Sequence, residues 1–196
     1  DLESVADAIE LTSCPIFAAS QAVPVAIRFA ERFPERITGL VLYGGYAKGR
    51  ALRTLSPDDM DEGTILTLIR AGWGKEDSPF MSALSSLFMP DATPEQLRSF
   101  VQMQVETIAP DNAAVLRQIV DRFNVEESLN SVKAPTLVVH AIGDAINPIE
   151  QGRILASEIP NARFLPLESR NHVPLPQEES WAKMMSEAIS FLGELQ

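Results

Sequence analysis

The sequence predicts an α/β protein in which a parallel sheet of about four strands, flanked by helices, is interrupted by an all-helical insertion. Three observations carry this expectation. Residues 14–43 run apolar strand, amphipathic helix, apolar strand, which at this spacing is a βαβ unit. Residues 51–132 hold helical stretches and no convincing strand. From residue 135 the pattern returns to strand, helix, strand, helix, the order of a parallel sheet.

In chain order, Leu2, Val5, Ala6 and Ile9 recur at helical spacing, so the opening residues predict an amphipathic helix ending near Leu11. The short apolar run from Cys14 to Ala19 predicts a strand. The helix that follows, Gln21 to Phe33, carries Val25, Ala26, Phe29 and Ala30 on one face. It stops at Phe33-Pro34, because proline disfavours the helical conformation of the residue before it. Ile37 to Tyr43, with Val41 and Leu42 at its centre, reads as a buried strand that Gly44-Gly45 ends. Gly72, Gly74, Pro90 and Pro110 divide the insertion into helices over Pro57–Ala71, Pro79–Met89, Pro94–Ile108 and Asp111–Phe123. Thr93 before Pro94, with Gln96 placed to bond back, is a capping box. The remainder predicts strand 135–141, helix 148–158, strand 162–167 and helix 177–192. One domain results, with core residues 1–50, a helical insertion over 51–132 and core residues 133–196.

Composition narrows the function classes. Hydrophobic content of 45% and charged content of 22% over 196 residues are those of a globular domain with a substantial core. A net charge of −11, with 16 basic residues spread among 27 acids, argues against a nucleic-acid partner. No apolar run reaches the ~18 residues of a membrane span, and no signal-like segment opens the sequence. The single cysteine, Cys14, excludes an internal disulfide, and with two histidines no zinc spacing exists. A cytoplasmic setting without metal or cofactor is the expectation.

The chemistry-bearing residues stand at strand ends. Ser20 lies between the first strand and its helix, Asp144 follows the strand 135–141, and His172 follows the strand 162–167. Ligands of open parallel sheets bind at the carboxyl ends of the strands, so the fold would gather all three. A serine hydroxyl needs a base within hydrogen-bond reach and a third group to fix that base's tautomer, roles that His172 and Asp144 suit. The backbone N–H of Gln21, at the start of a helix, would face a developing oxyanion. Each residue also has an ordinary reading. Ser20 alone would be a helix cap, Asp144 a turn residue, and His140 a packed strand histidine. Glu168 is a rival for the acid. Trp73, Phe80, Phe88 and Met89, with Met81 and Met103, could line an acyl pocket or simply form the core of the insertion. Gly44-Gly45 and Gly49 lack a phosphate-loop signature and read as a flexible exit toward the insertion. Asp58-Asp59 and Asp61-Glu62 read as a solvated helix start.

The order Ser, Asp, His, with Ala18-Ala19-Ser20-Gln21-Ala22 at the elbow, His140-Ala141-Ile142-Gly143-Asp144 at the acid turn and Ser169-Arg170-Asn171-His172 at the histidine loop, resembles the α/β-hydrolase superfamily over nearly the whole chain. More narrowly, Phe33-Pro34-Glu35-Arg36, the stretch Leu40 to Arg50 and Leu167 to His172 are similar to hydrolase domains fused to adenylate cyclase or LuxR-type regulators. The resemblance implies a serine hydrolase of small acyl substrates acting through an acyl-enzyme, or a ligand-binding regulatory module that keeps the fold with little turnover. The family elbow is Gly-x-Ser-x-Gly, and here Ala18 and Ala22 replace both glycines. The resemblance further implies strands and an oxyanion loop ahead of the opening helix, so the chain reads as the C-terminal part of a longer hydrolase. On that reading the edge of the strand carrying Ile16 and Phe17 is open to self-association, or is shielded by the opening helix.

Overall fold

A computed structural model of the chain describes residues 2–53, 61–75 and 77–195. Four strands, β1 (Cys14–Ala19), β2 (Ile37–Tyr43), β3 (Thr136–Ala141) and β4 (Ala162–Leu167), form one sheet in the order β1-β2-β3-β4. Every pairing is parallel, with Ala18 beside Leu42, Leu42 beside Val138, and Val138 beside Phe164.

Successive strands step across the sheet in one direction, and right-handed crossovers then place the connecting helices on the same face. That face carries α2 (Ala22–Arg32), the short α7 (Glu126–Leu129) and α8 (Ile149–Glu158). Val23, Ala26 and Ile27 of α2, Leu129 of α7, and Leu155 and Ile159 at α8 pack on Leu40, Leu42 and Val138. The period of two along a strand sends Val41, Tyr43, Leu137 and Val139 to the opposite face. There they meet Met184, Ala188 and Phe191 of α9 (Glu179–Gly193). Both faces of β2 and β3 are thus covered, which is why these strands are mostly apolar.

The insertion holds α3 (Glu62–Gly72), α4 (Pro79–Phe88), α5 (Pro94–Thr107) and α6 (Pro110–Val120). Leu66 and Ile69 of α3 pack on Ala113 and Ala114 of α6, giving the insertion a small core of its own. Thr93 and Gln96 form the expected capping box. Asp61 caps α3 through the Thr64 N–H, so this helix begins at Glu62; the expected start at Pro57, with Asp58 and Asp59, lies outside the described residues.

The opening helix α1 (Leu2–Ala8) departs from expectation. It ends earlier, and of its apolar stripe Ala6 is buried while Val5 and Ile9 are exposed. Arg36 holds this segment, donating to Asp7 Oδ1 and to the Leu11 carbonyl at 2.7 Å each. Among the described residues β1 pairs with β2 alone, and Phe17 is 55% exposed.

Candidate active site

The turn after β1 sets the geometry. Ser20 donates its backbone N–H to the Tyr43 carbonyl at 2.8 Å, continuing the β1–β2 ladder by one residue, and its own carbonyl accepts from Val23 N–H at 3.1 Å as α2 begins. To do both, Ser20 takes φ 53°, a left-handed conformation costing a non-glycine residue on the order of 1–3 kcal/mol. Gln21 already has helical dihedrals, and among the described residues no backbone carbonyl accepts its N–H. The elbow alanines fit for different reasons. Ala18 is buried in the core beneath α2, whereas Ala22 sits exposed on the first turn.

The turn after β3 presents Asp144, which is 7% exposed. Its Oδ1 accepts the backbone N–H groups of Ile146 at 2.8 Å and Asn147 at 3.0 Å, leaving Oδ2 for His172 Nδ1 at 2.7 Å. Asn147 braces this loop from the other side, donating its side-chain amide to the Gly44 carbonyl at 2.9 Å and accepting at its own carbonyl from His140 Nε2 at 2.8 Å. His140 is fully buried; desolvation draws its pKa below the ordinary histidine value, so the ring is a neutral Nε2–H donor. It is a packed strand histidine that supports the acid loop.

His172 closes the arrangement. Its Nε2 lies 2.8 Å from Ser20 Oγ. Phe88, at the end of α4, holds the histidine loop twice, its carbonyl accepting from His172 N–H at 2.8 Å and Val173 N–H at 3.1 Å. The Phe88 ring also stands edge-on to the imidazole, 5.4 Å between centroids. Asn171, buried, accepts from the Tyr43 hydroxyl at its carbonyl and from the Asp91 N–H at its side chain. Glu168 is exposed and bonds none of these atoms.

Gly44 and Gly45 are packing positions, correcting the expectation of a flexible exit. Gly44 has φ 56°, and a Cβ there would sit 3.4 Å from His172 Cε1 and 3.7 Å from Asp144 Oδ2. A Cβ on Gly45 would collide with Val23 at 2.4 Å.

A cleft of about 60 Å³ opens beside Ser20 and Gln21, lined further by Tyr46, Arg50, Arg53, Phe88, Arg117 and Asp121 among others. Of the six aromatic and methionine residues expected to line a pocket, Phe88 reaches this cleft. Met89 lines a separate, more open groove with Phe100 and Leu175. Trp73 and Phe80 instead pack in the core of the insertion, where the Trp73 indole donates to the Ile108 carbonyl. The arginines of the cleft wall were not singled out from sequence. Their signal is the position of Arg50 and Arg53 just beyond the carboxyl end of β2, where parallel sheets build sites.

No family model matches the chain. A pimeloyl-[acyl-carrier protein] methyl ester esterase of Neisseria meningitidis serogroup C is 24% identical over 211 residues, covering 96% of this chain and 75% of that protein. The serogroup A counterpart is equally similar, and the chain spans 62% of its length. An esterase from Exiguobacterium antarcticum superposes with a TM-score of 0.81 at 18% identity, over 98% of this chain and 71% of that one. The chain has the α/β-hydrolase fold. A hydrolase from Oleispira antarctica, at 16% identity, shares this α/β-hydrolase architecture with a TM-score of 0.78, over 98% of this chain and 69% of that one. Among the described residues, no helix of the fold is long and apolar enough to cross a membrane.

Proposed function

We propose that this chain carries the active site of a serine hydrolase acting on an ester or similar small acyl substrate. The observation that supports this best is the unbroken relay from Ser20 Oγ to His172 Nε2, at 2.8 Å, and from His172 Nδ1 to Asp144 Oδ2, at 2.7 Å, on a serine held at positive φ. In this reading Ser20 Oγ attacks the acyl carbon while His172 Nε2 takes its proton. Asp144 keeps Nδ1 protonated and steadies the imidazolium. The Gln21 N–H donates to the oxyanion of the tetrahedral intermediate. Collapse of that intermediate breaks the bond to the alcohol, which leaves with the proton from His172. Water then enters by the reverse sequence, and the free acid departs from Ser20. The curated esterases that resemble the chain act on a methyl ester, by their names, which fits an ester substrate here.

Fluorophosphonate labelling tests this reading. Wild type should label, Ser20→Ala should not, and equal labelling of the two, or none in wild type, would remove the hydrolase assignment.

A further inference from the structure

Among the described residues the wall of the cleft carries more arginines than carboxylates, and this bears on what Ser20 receives. Arg50, Arg53 and Arg117 line it, against one carboxylate among its described residues, that of Asp121. Asp121 is 7% exposed and is hydrogen-bonded by Arg117 Nε at 2.7 Å, and Arg50 and Arg53 also feel its charge, more weakly. Arg53 differs. Among the described residues its hydrogen-bond partners are the Lys48 carbonyl, at 2.6 Å from Nε, and Asn147 Oδ1, at 3.2 Å from Nη2, and both acceptors are neutral. Its guanidinium lies over the Tyr46 ring, 5.4 Å from the centroid. Nη1 takes part in neither hydrogen bond. Asp121 also attracts this guanidinium, but a half-buried guanidinium whose hydrogen-bond acceptors are neutral gains more from an incoming anion than a solvated one does. Desolvation, the main influence on its protonation, pulls the pKa of Arg53 below the ordinary arginine value.

We propose that the cleft selects a short acyl group bearing a carboxylate, and that Arg53 is the residue that reads it. The proposal rests on the serine-hydrolase reading for the placement of the acyl carbon at Ser20. The size of the cleft, about 60 Å³, fits a short chain. Ser20 and Arg53 line the same small space, so a carboxylate a few bonds from the scissile carbonyl falls between the nucleophile and the guanidinium. Asn147 connects this subsite to the acid loop, accepting from Arg53 at its side chain and donating its backbone N–H to Asp144 Oδ1. The carboxylate is a spectator in the reaction. The bond broken is that of the ester, and the products are the alcohol and a dicarboxylic acid.

The test compares kcat/KM for monomethyl succinate with that for methyl butanoate, in wild type, Arg53→Gln and Arg53→Lys. Wild type should favour the anionic ester by about 10-fold or more, the size of a hydrogen bond to a charged group. Arg53→Gln should bring the ratio near one, and Arg53→Lys should keep part of it. Because each ratio is internal to one variant, a general loss of folded enzyme does not imitate the result. A wild-type ratio of one or below, or a ratio unchanged by Arg53→Gln, overturns the proposal. If neither ester is hydrolysed, calorimetry with the same two molecules decides separately. Binding of monomethyl succinate that Arg53→Gln abolishes supports the subsite while the hydrolase reading fails, and absence of binding overturns the subsite too.

Discussion

Asp144 uses its two carboxylate oxygens for different tasks, and on the proposed hydrolase reading this separates folding from catalysis at one side chain. Oδ1 shapes the loop through two backbone N–H groups, whereas Oδ2 meets the imidazole. An Asp144→Asn variant keeps a carbonyl oxygen for the loop but offers His172 an amide, which favours the wrong tautomer. We expect its secondary structure to match wild type by circular dichroism while kcat falls by about 10³–10⁴-fold. Full retention of kcat would mean that another group orients the base. Gly44 is the complementary case, where both shape and chemistry respond. Gly44→Ala places a side chain at φ 56° beside His172 and Asp144. The left-handed backbone alone costs about 1–2 kcal/mol. A lowered melting temperature together with reduced turnover is the expected pair, and a variant as stable and active as wild type would exclude it.

At the scale of elements, the capping box of α5 is a local device with a predictable magnitude. Thr93→Ala removes the acceptor for the Gln96 N–H and should lower stability by about 1 kcal/mol, read as a shift in the urea midpoint. Elements of this kind were legible in the sequence because their signals are local: a capping pair, a proline that stops α2, an apolar run bounded by turn residues that defines β4. Less legible was α7, whose four residues are too few for periodicity to show. The stripe of α1 was legible as helical, but burial depends on a neighbour, and Val5 and Ile9 are exposed. The positions of Ser20, Asp144 and His172 followed from strand ends, since a parallel sheet sends all such ends one way. The cleft wall did not follow. Arg53 and Arg117 come from distant segments joined by the Gly49 N–H to the Phe123 carbonyl and the Ala51 N–H to the Asp121 carbonyl. A Cβ on Gly49 would stand 2.3 Å from that Asp121 oxygen, so the closure depends on a glycine whose reason lies some 70 residues away.

For the whole molecule, the buried neutral His140 links stability to pH. Its folded pKa is depressed, so below the ordinary histidine value of about 6.5 the unfolded chain binds a proton that the folded chain refuses. Stability contributed by this site is present above that pH and is lost as pH falls through it. Asp144, 3.8 Å away, and Glu150 favour the charged ring and His172 opposes it, but burial is the larger influence. The urea midpoint should drop between pH 7.5 and 5.5, and should drop less in His140→Gln. An equal drop in both would assign the effect to other groups. A second molecule-wide consequence comes from the Phe88 carbonyl, which accepts from both His172 and Val173. One oxygen at the end of an insertion helix thus anchors the loop that carries the base. Withdrawal of α4 from the cleft would free two amides at once and loosen the imidazole, so on the proposed hydrolase reading any such opening would also unseat the base. His172 and Val173 should then share one protection factor against hydrogen exchange, and on the proposed hydrolase reading that factor reports how rarely the site disarms itself to change its contents.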